Sequence, residues 1–264
     1  MISSEKNPKN QYWLNTGYGN PWLNAVIYIL QTVVIFATCL FMLDGTFPRS
    51  LADCIVLVKS SLFPFYFFSV PLFMLYIQNL LRNDQIPNFV LHCQSRAQLW
   101  NNQSVKIAIH SFLFSLHFTA VFLLYGWLSG VKWINWAEDY SSYLLKMYTI
   151  NTTTYFSEVA LMFFLACFVC FVASGLLFNL LLWFCRFHVV AWFVVLLIGC
   201  WDFYTTYMPI AGVEFPVLFG RASLEYEVWK NQQVMPGVLW VLVIAVVLYG
   251  IGCWCCRKRE FYGR

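Results

Sequence analysis

An all-α integral membrane protein with six transmembrane helices is the fold class this sequence predicts, and three observations carry it. Of its 264 residues, 61% are hydrophobic and only 11% are charged, against about 25% charged in soluble domains. Six apolar runs approach or exceed the roughly 20 residues that take a helix across about 30 Å of hydrocarbon. The short alternating segments of a transmembrane barrel do not occur.

In chain order, residues 1–20 hold Lys6, Lys9, Trp13 and Tyr18 and read as a polar, partly aromatic segment resting at an interface. No small-residue cleavage site follows the first apolar run, so that run is expected to stay as a span. The spans fall at Pro21 to Leu43, Leu62 to Leu81, Val105 to Leu128, Val159 to Trp183, Phe187 to Phe203, and Gly237 to Cys256. Pro64 and Pro71 predict a kink in the second. A turn over Trp183 to His188 separates the fourth from the fifth; without it one helix of about 45 residues would result, against a usual range of about 17 to 25.

Six spans put both termini on one side, and the basic residues identify which. Lys6, Lys9, Arg82, Arg96, Lys106, Arg186, Arg257, Lys258, Arg259 and Arg264 share the terminal side, ten bases in all. Arg49, Lys59, Lys132, Lys146, Arg221 and Lys230, six bases, fall on the other. The positive-inside rule then predicts that both termini, including the tail 257–264, are cytoplasmic. The net charge of +4 therefore sits at membrane flanks, where it meets anionic lipid and gives no argument for nucleic acid. Trp127, Trp133 and Trp136 outside, and Trp100, Trp183 and Trp254 inside, read as interfacial aromatic belts.

Three intervals between the spans carry information. Within 82–104, Asn83, Asp84 and Pro87 signal a turn, after which Phe89, Val90, Cys93, Ala97 and Trp100 form an apolar stripe. His92, Gln94, Ser95 and Gln98 lie opposite. The segment reads as a short helix on the cytoplasmic membrane surface or as an ordinary loop with a fortuitous stripe. The outer interval 129–158 is aromatic and polar, with an N-x-T pattern at Asn151. The outer interval 204–236 sets Pro209, Gly212, Pro216 and Gly220 among apolar residues. It reads as a re-entrant hairpin whose irregular backbone is sheltered by helices, or as a plain loop.

Chemistry in the chain itself is unsupported. No G-x-x-x-x-G-K-[ST], H-E-x-x-H or G-x-S-x-G occurs, so ATP phosphates are not held here. Of ten cysteines, nearly all lie in or beside apolar runs, with Cys54 in a polar interval; buried cysteine is a small hydrophobe first. Cys167 and Cys170 have C-x-x-C spacing but no second pair. Cys253, Cys255 and Cys256, beside a basic tail, read as packing residues or as acceptors of a palmitoyl group. The polar residues at membrane depth are Gln31, His110, His117 and Asn179, with Ser111 and Ser115 beside the histidines. They read either as a substrate or proton path or as interhelical hydrogen bonds worth about 0.6 kcal/mol each. Glu158 and Asp202, near the outer ends of spans, read as solvated acids.

The six-span layout, the polar interval after span two and the punctuated interval after span five resemble the permease subunit of type-two ATP-binding-cassette exporters. Bacterial drug, lipid-linked polymer and peptide-antibiotic export or immunity systems are the nearest in kind. Ser95-Arg96-Ala97-Gln98-Leu99-Trp100 leading into the third span is similar to the family's coupling helix, and Gly237 through Arg257-Lys258-Arg259-Glu260-Phe261 to its last helix and basic tail. The resemblance implies one permease domain over residues 1–264 in the bacterial cytoplasmic membrane. It implies a separate cytoplasmic ATPase subunit, holding ATP and Mg, docked through His92, Ser95, Arg96, Gln98, Leu99 and Trp100. A second permease, identical or related, would complete the pathway. Gln31, His110, His117 and Asn179 would line it, and Pro209, Gly212, Glu214 and Pro216 would form an outer gate. This chain would need no cofactor of its own. The other reading is a non-transport membrane module, an immunity or assembly protein that binds a hydrophobic peptide or partner membrane protein.

Overall fold

With so few polar side chains to compete for them, backbone groups along the apolar runs bond within their own helices. A computed structural model describes residues 19–43, 49–82, 95–138, 154–185, 188–207, 218–224 and 234–258. In order these form α1 (Pro21–Leu43), α2 (Leu51–Ser60), a π-helical segment (Leu62–Ser69), α3 (Val70–Leu81) and α4 (Arg96–Ser129). They continue with α5 (Phe156–Phe184), α6 (His188–Tyr207), a 3-10 turn (Gly220–Ala222) and α7 (Val234–Lys258). Among the described residues six helices, counting the π segment with α3 as one, are long and apolar enough to cross a membrane; α2 leads directly into the second of these, and we term the two together the second span. The chain is a multi-pass membrane protein.

Side-chain contacts fix the direction of each helix. Tyr28 packs on Phe114 and His117, and Phe36 on Tyr125, so α1 and α4 run parallel from what we term the proximal end of the bundle. The second span runs back, bringing Asn79 beside Asn20 and Asn24. α5 starts distally, with Phe156 against Trp133, and ends with Trp183 donating to Gln103. α6 rises from Trp192 beside Gln78. α7 returns, from Gly237 packed on Arg221 to Gly252 packed on Trp100.

Aromatic rings fill the centre. Phe65, Phe73, Phe114, Phe118 and Phe171 are all fully buried, with Phe73 and Phe114 at 4.8 and 5.1 Å from Phe171. Offset and edge-on pairs of this kind add to the area they bury. The outward faces are equally apolar: Leu40, Phe41, Phe193, Leu197, Val243 and Val246 are exposed, as expected of helices solvated by lipid.

Two stretches differ most from the sequence expectation. The stretch Leu51 to Ser60, taken as part of an outer loop, is α2, and it is buried almost throughout. Cys54 is therefore a core residue, not a loop residue. The third span starts at Arg96 instead of Val105, because Ser95 caps it by accepting from the Gln98 amide. Thus the proximal stripe ending at Trp100 is, from Arg96 onward, the first turns of α4 and not a separate surface helix; residues 83–94 lie outside the described residues. α4 stops at Gly130, whose φ of 64° is the left-handed conformation a side chain disfavours. The break between the fourth and fifth spans falls where expected, α5 ending at Phe184 and α6 starting at His188.

Two tryptophans assigned to the interfaces are interior. Trp136 is buried, while Trp127 and Trp133 remain exposed. Trp100 is 0% exposed, and its Nε1 donates to the Tyr249 carbonyl at 3.2 Å. Its ring lies so close to α7 that a Cβ at Gly252 would sit 2.0 Å from Cζ2. Gly252→Leu should consequently lower the melting temperature of the detergent-solubilised protein by several degrees, since overpacking costs about 1–3 kcal/mol. Gly250→Ala, where nothing lies within 4 Å, should leave it equal or higher, as alanine is the better helix former.

Candidate functional site

Polar and charged groups converge where the second span breaks. Its first part, α2, opens with a capping box: the Ser50 hydroxyl accepts from the Asp53 amide at 3.3 Å, and Asp53 Oδ2 accepts from the Ser50 amide at 2.9 Å. Asp53 Oδ1 takes the Trp136 indole N–H at 2.8 Å. The Leu51 and Ala52 amides, which have no partner within a helix, donate to the Lys132 and Trp133 carbonyls at 2.9 and 3.0 Å. So the start of α2 is tied to the distal end of the bundle.

From there α2 enters the interior and stops. Ser61 is extended, at φ −83° and ψ 138°, and the Ser60 and Ser61 hydroxyls donate back to the Val56 and Leu57 carbonyls that the ending helix leaves over. The chain resumes with π winding over Leu62–Ser69, in which Ser69 Oγ donates to the Pro64 carbonyl at 2.8 Å. Pro71 explains the winding. It has no N–H for the ladder and its ring presses on the carbonyl four residues back, and a wider turn relieves both.

A second irregular segment, Leu218 to Leu224, is buried against this break, with Phe219 packed edge-on to Phe65 and Tyr66. Asp202 of α6 supplies its missing hydrogen bonds. Fully buried, its Oδ2 accepts from the Leu218 amide at 2.8 Å, the Phe219 amide, and the Gly220 amide at 3.3 Å. Asp202 is thus a buried acceptor that holds this turn and not the solvated acid its position near a span end suggested; Glu158 is exposed as expected.

Lys59, at the end of α2, is the other correction. Counted by sequence among the outer bases, it is 0% exposed. Its Nζ lies 3.9 Å from the centroid of the Phe65 ring and has no oxygen partner among the described residues; the Cys170 thiol is a polar neighbour. The thiol of Cys170 lies within the fields of both Lys59 and Asp202. Cys170 is midway along α5, so the ammonium sits near the middle of a span. Desolvating such an ion costs several kcal/mol, of which a cation–π contact returns about 2.

The polar residues expected at membrane depth divide into two groups. His110 and His117 line the seam between α1, α3 and α4. His110 Nδ1 meets the Tyr76 hydroxyl, and His117 Nε2 meets the Thr32 hydroxyl at 3.1 Å. Gln31 is buried on α1 with neither amide atom bonded among the described residues, and the same holds for the buried Ser111 and Ser115 hydroxyls on α4. Asn179 belongs elsewhere: it donates to Gln103 at 3.2 Å near the proximal end, where Trp183 shares the same oxygen at 3.1 Å. Among the proposed docking residues, Ser95 and Gln98 are exposed and Arg96 half-buried, whereas Leu99 and Trp100 are buried. His92, Pro209, Gly212, Glu214 and Pro216 lie outside the described residues.

Sequence reasoning missed α2 and the cluster at its end, although one signal was present. Ser50-Leu51-Ala52-Asp53 ahead of an apolar run is a capping box. No protein family matches the chain, and neither a curated protein nor a solved structure matches it significantly.

Removing the Asp202 acceptor should orphan three buried amides, each such charged bond being worth about 1.5–3 kcal/mol. Asp202→Ala should therefore lower the melting temperature more than Asp202→Asn, which keeps an acceptor oxygen. Limited proteolysis should open the chain around residues 218–224 in the Ala variant first.

Proposed function

We propose that this chain is the membrane-spanning subunit of an ATP-driven exporter in the bacterial cytoplasmic membrane. It would work with a separate cytoplasmic ATPase subunit and a second permease, and its cargo would be amphipathic or hydrophobic. The observation that carries this is the broken second span packed against an irregular segment held by Asp202. Non-helical backbone at membrane depth is tolerated where it is sheltered by protein or lines a path, and discontinuous spans are where transporters bind and move their cargo. A merely anchoring bundle has no use for such a break.

The proximal end supplies the handle, and charge supports its cytoplasmic placement. With Lys59 withdrawn to the interior, the distal side keeps only Arg49, Lys132, Lys146, Arg221 and Lys230 against the ten bases of the other side, which strengthens the positive-inside argument. At that end Ser95, Arg96 and Gln98 form the accessible turn of α4. They are the residues an ATPase subunit would press. Leu99 and Trp100 act one step further in, passing that displacement to α7 through the contact at Gly252. ATP and Mg stay in the partner subunit, whose closure shifts the bundle between two packings. Unbonded Gln31, Ser111 and Ser115, with His110 and His117, give cargo a polar lining along α1 and α4.

Arg96→Glu should abolish export and ATPase association while leaving membrane insertion and melting temperature unchanged, as read by co-purification and by cargo efflux. A non-transport module would tolerate the substitution. Purification from native membranes with no ATPase chain at any stoichiometry would overturn the proposal.

A further inference from the structure

A lysine that is wholly buried without a counter-ion is rare, because lysine is almost never fully enclosed unless it is paired. Among the described residues Lys59 is such a residue, enclosed at the end of α2 with its Nζ over the Phe65 ring at 3.9 Å, no oxygen partner and the Cys170 thiol beside it. The nearby acid is committed elsewhere: three backbone amides of the 218–220 turn occupy Asp202 Oδ2. On the α5 side stand Cys167 and Cys170, side chains with small volume and no formal charge in the thiol form. Immediately after Lys59 the chain leaves regular winding for a π segment, a geometry that recurs at functional sites.

We propose that Lys59 is the anion-recognition residue of a binding site at the break in the second span, receiving the carboxylate or phosphate of an amphipathic ligand. The Phe65 ring holds the ammonium where α2 gives way to the π segment at the extended Ser61, and an acidic head group reaches Lys59 by parting the side chains at that junction. A flexible, strongly hydrated point charge such as an ammonium suits a phosphate or carboxylate of varied geometry better than a planar fork would. This deepens the exporter proposal and rests on it for the ligand's role as cargo; binding itself needs no ATPase.

The test uses the full chain purified in dodecyl maltoside, with unfolding followed by tryptophan fluorescence. Dodecyl phosphate and laurate should each raise the melting temperature of the unaltered chain, and dodecyltrimethylammonium should not. Lys59→Met should remove that response, weakening apparent affinity at least tenfold, while melting no lower than the parent chain, since an isolated buried charge is gone. Lys59→Arg should retain part of it. Inorganic phosphate distinguishes the source: a Lys59-dependent shift with phosphate alone keeps the site and assigns it to free anions in place of amphiphiles. The proposal is overturned if Lys59→Met responds as the parent does, or if no anion shifts the parent. It is also overturned if Lys59→Met is strongly destabilised and rescued by Asp202→Asn, which would make the lysine an internal counter-ion. Lys59→Gln repeats the test if the Met variant does not accumulate, and loss of both from the membrane counts as a structural role and against the site. An absent ATPase partner would sink the exporter reading and leave this result standing.

Discussion

Backbone groups that leave the helical ladder inside an apolar bundle have no water to turn to, and this constraint shapes everything around the second span. Where α2 stops, two serine hydroxyls bond back to the Val56 and Leu57 carbonyls. Where the 218–224 segment runs without regular structure, a buried carboxylate collects three amides in a row. The capping box at Ser50 and the Lys132 and Trp133 carbonyls do the same for the start of α2. These three departures from regular helix each have an identifiable polar partner, which makes the break a built feature of the fold.

The same lack of water governs the charges. Asp53 and Asp202 are accommodated in the interior because their oxygens accept from N–H donors, Trp136 and Ser50 in one case and the 218–220 amides in the other. Lys59 receives no comparable treatment; the Phe65 face is a partial substitute for a carboxylate. That asymmetry between two well-bonded carboxyl groups and one lysine set over an aromatic ring distinguishes the break from the rest of the core.

How far the fold was legible follows from how far apart its determinants lie. Apolar run length is a local property, so all six spans are visible in the sequence, five of them within a few residues and the third with its start nine residues late, and even the α5–α6 boundary between Cys185 and His188 is. Local signals can also be misread: Ser95-x-x-Gln98 starts α4 where it stands, although the apolar stripe of Phe89 to Trp100 suggested a separate helix. The burial of Lys59 and Asp202 is non-local. Nothing within several residues of either says that a loop from beyond α6 and the middle of α5 will close over them. Polar residues inside recognised spans were found easily, yet their grouping was not, since His110 and Asn179 separate according to which neighbour, α3 or Gln103, each helix face meets.

α7 connects the two ends of this arrangement. Near its proximal end Gly252 admits the Trp100 ring, and near its distal end Gly237 lies so close to the Arg221 carbonyl that a Cβ would approach it to 1.9 Å. The Gly237 contact is backbone to backbone and the Gly252 contact is backbone to the buried Trp100 ring, and the helix between is straightforwardly apolar. A tilt imposed at Trp100 must therefore reappear at Arg221, one residue beyond the turn that Asp202 holds by its amides. A helix so clamped at both ends acts as a lever, because packed interfaces switch between discrete arrangements more readily than they deform. In the proposed exporter the proximal handle and the break in the second span are thus joined by one rigid element, without any side-chain relay through the aromatic core.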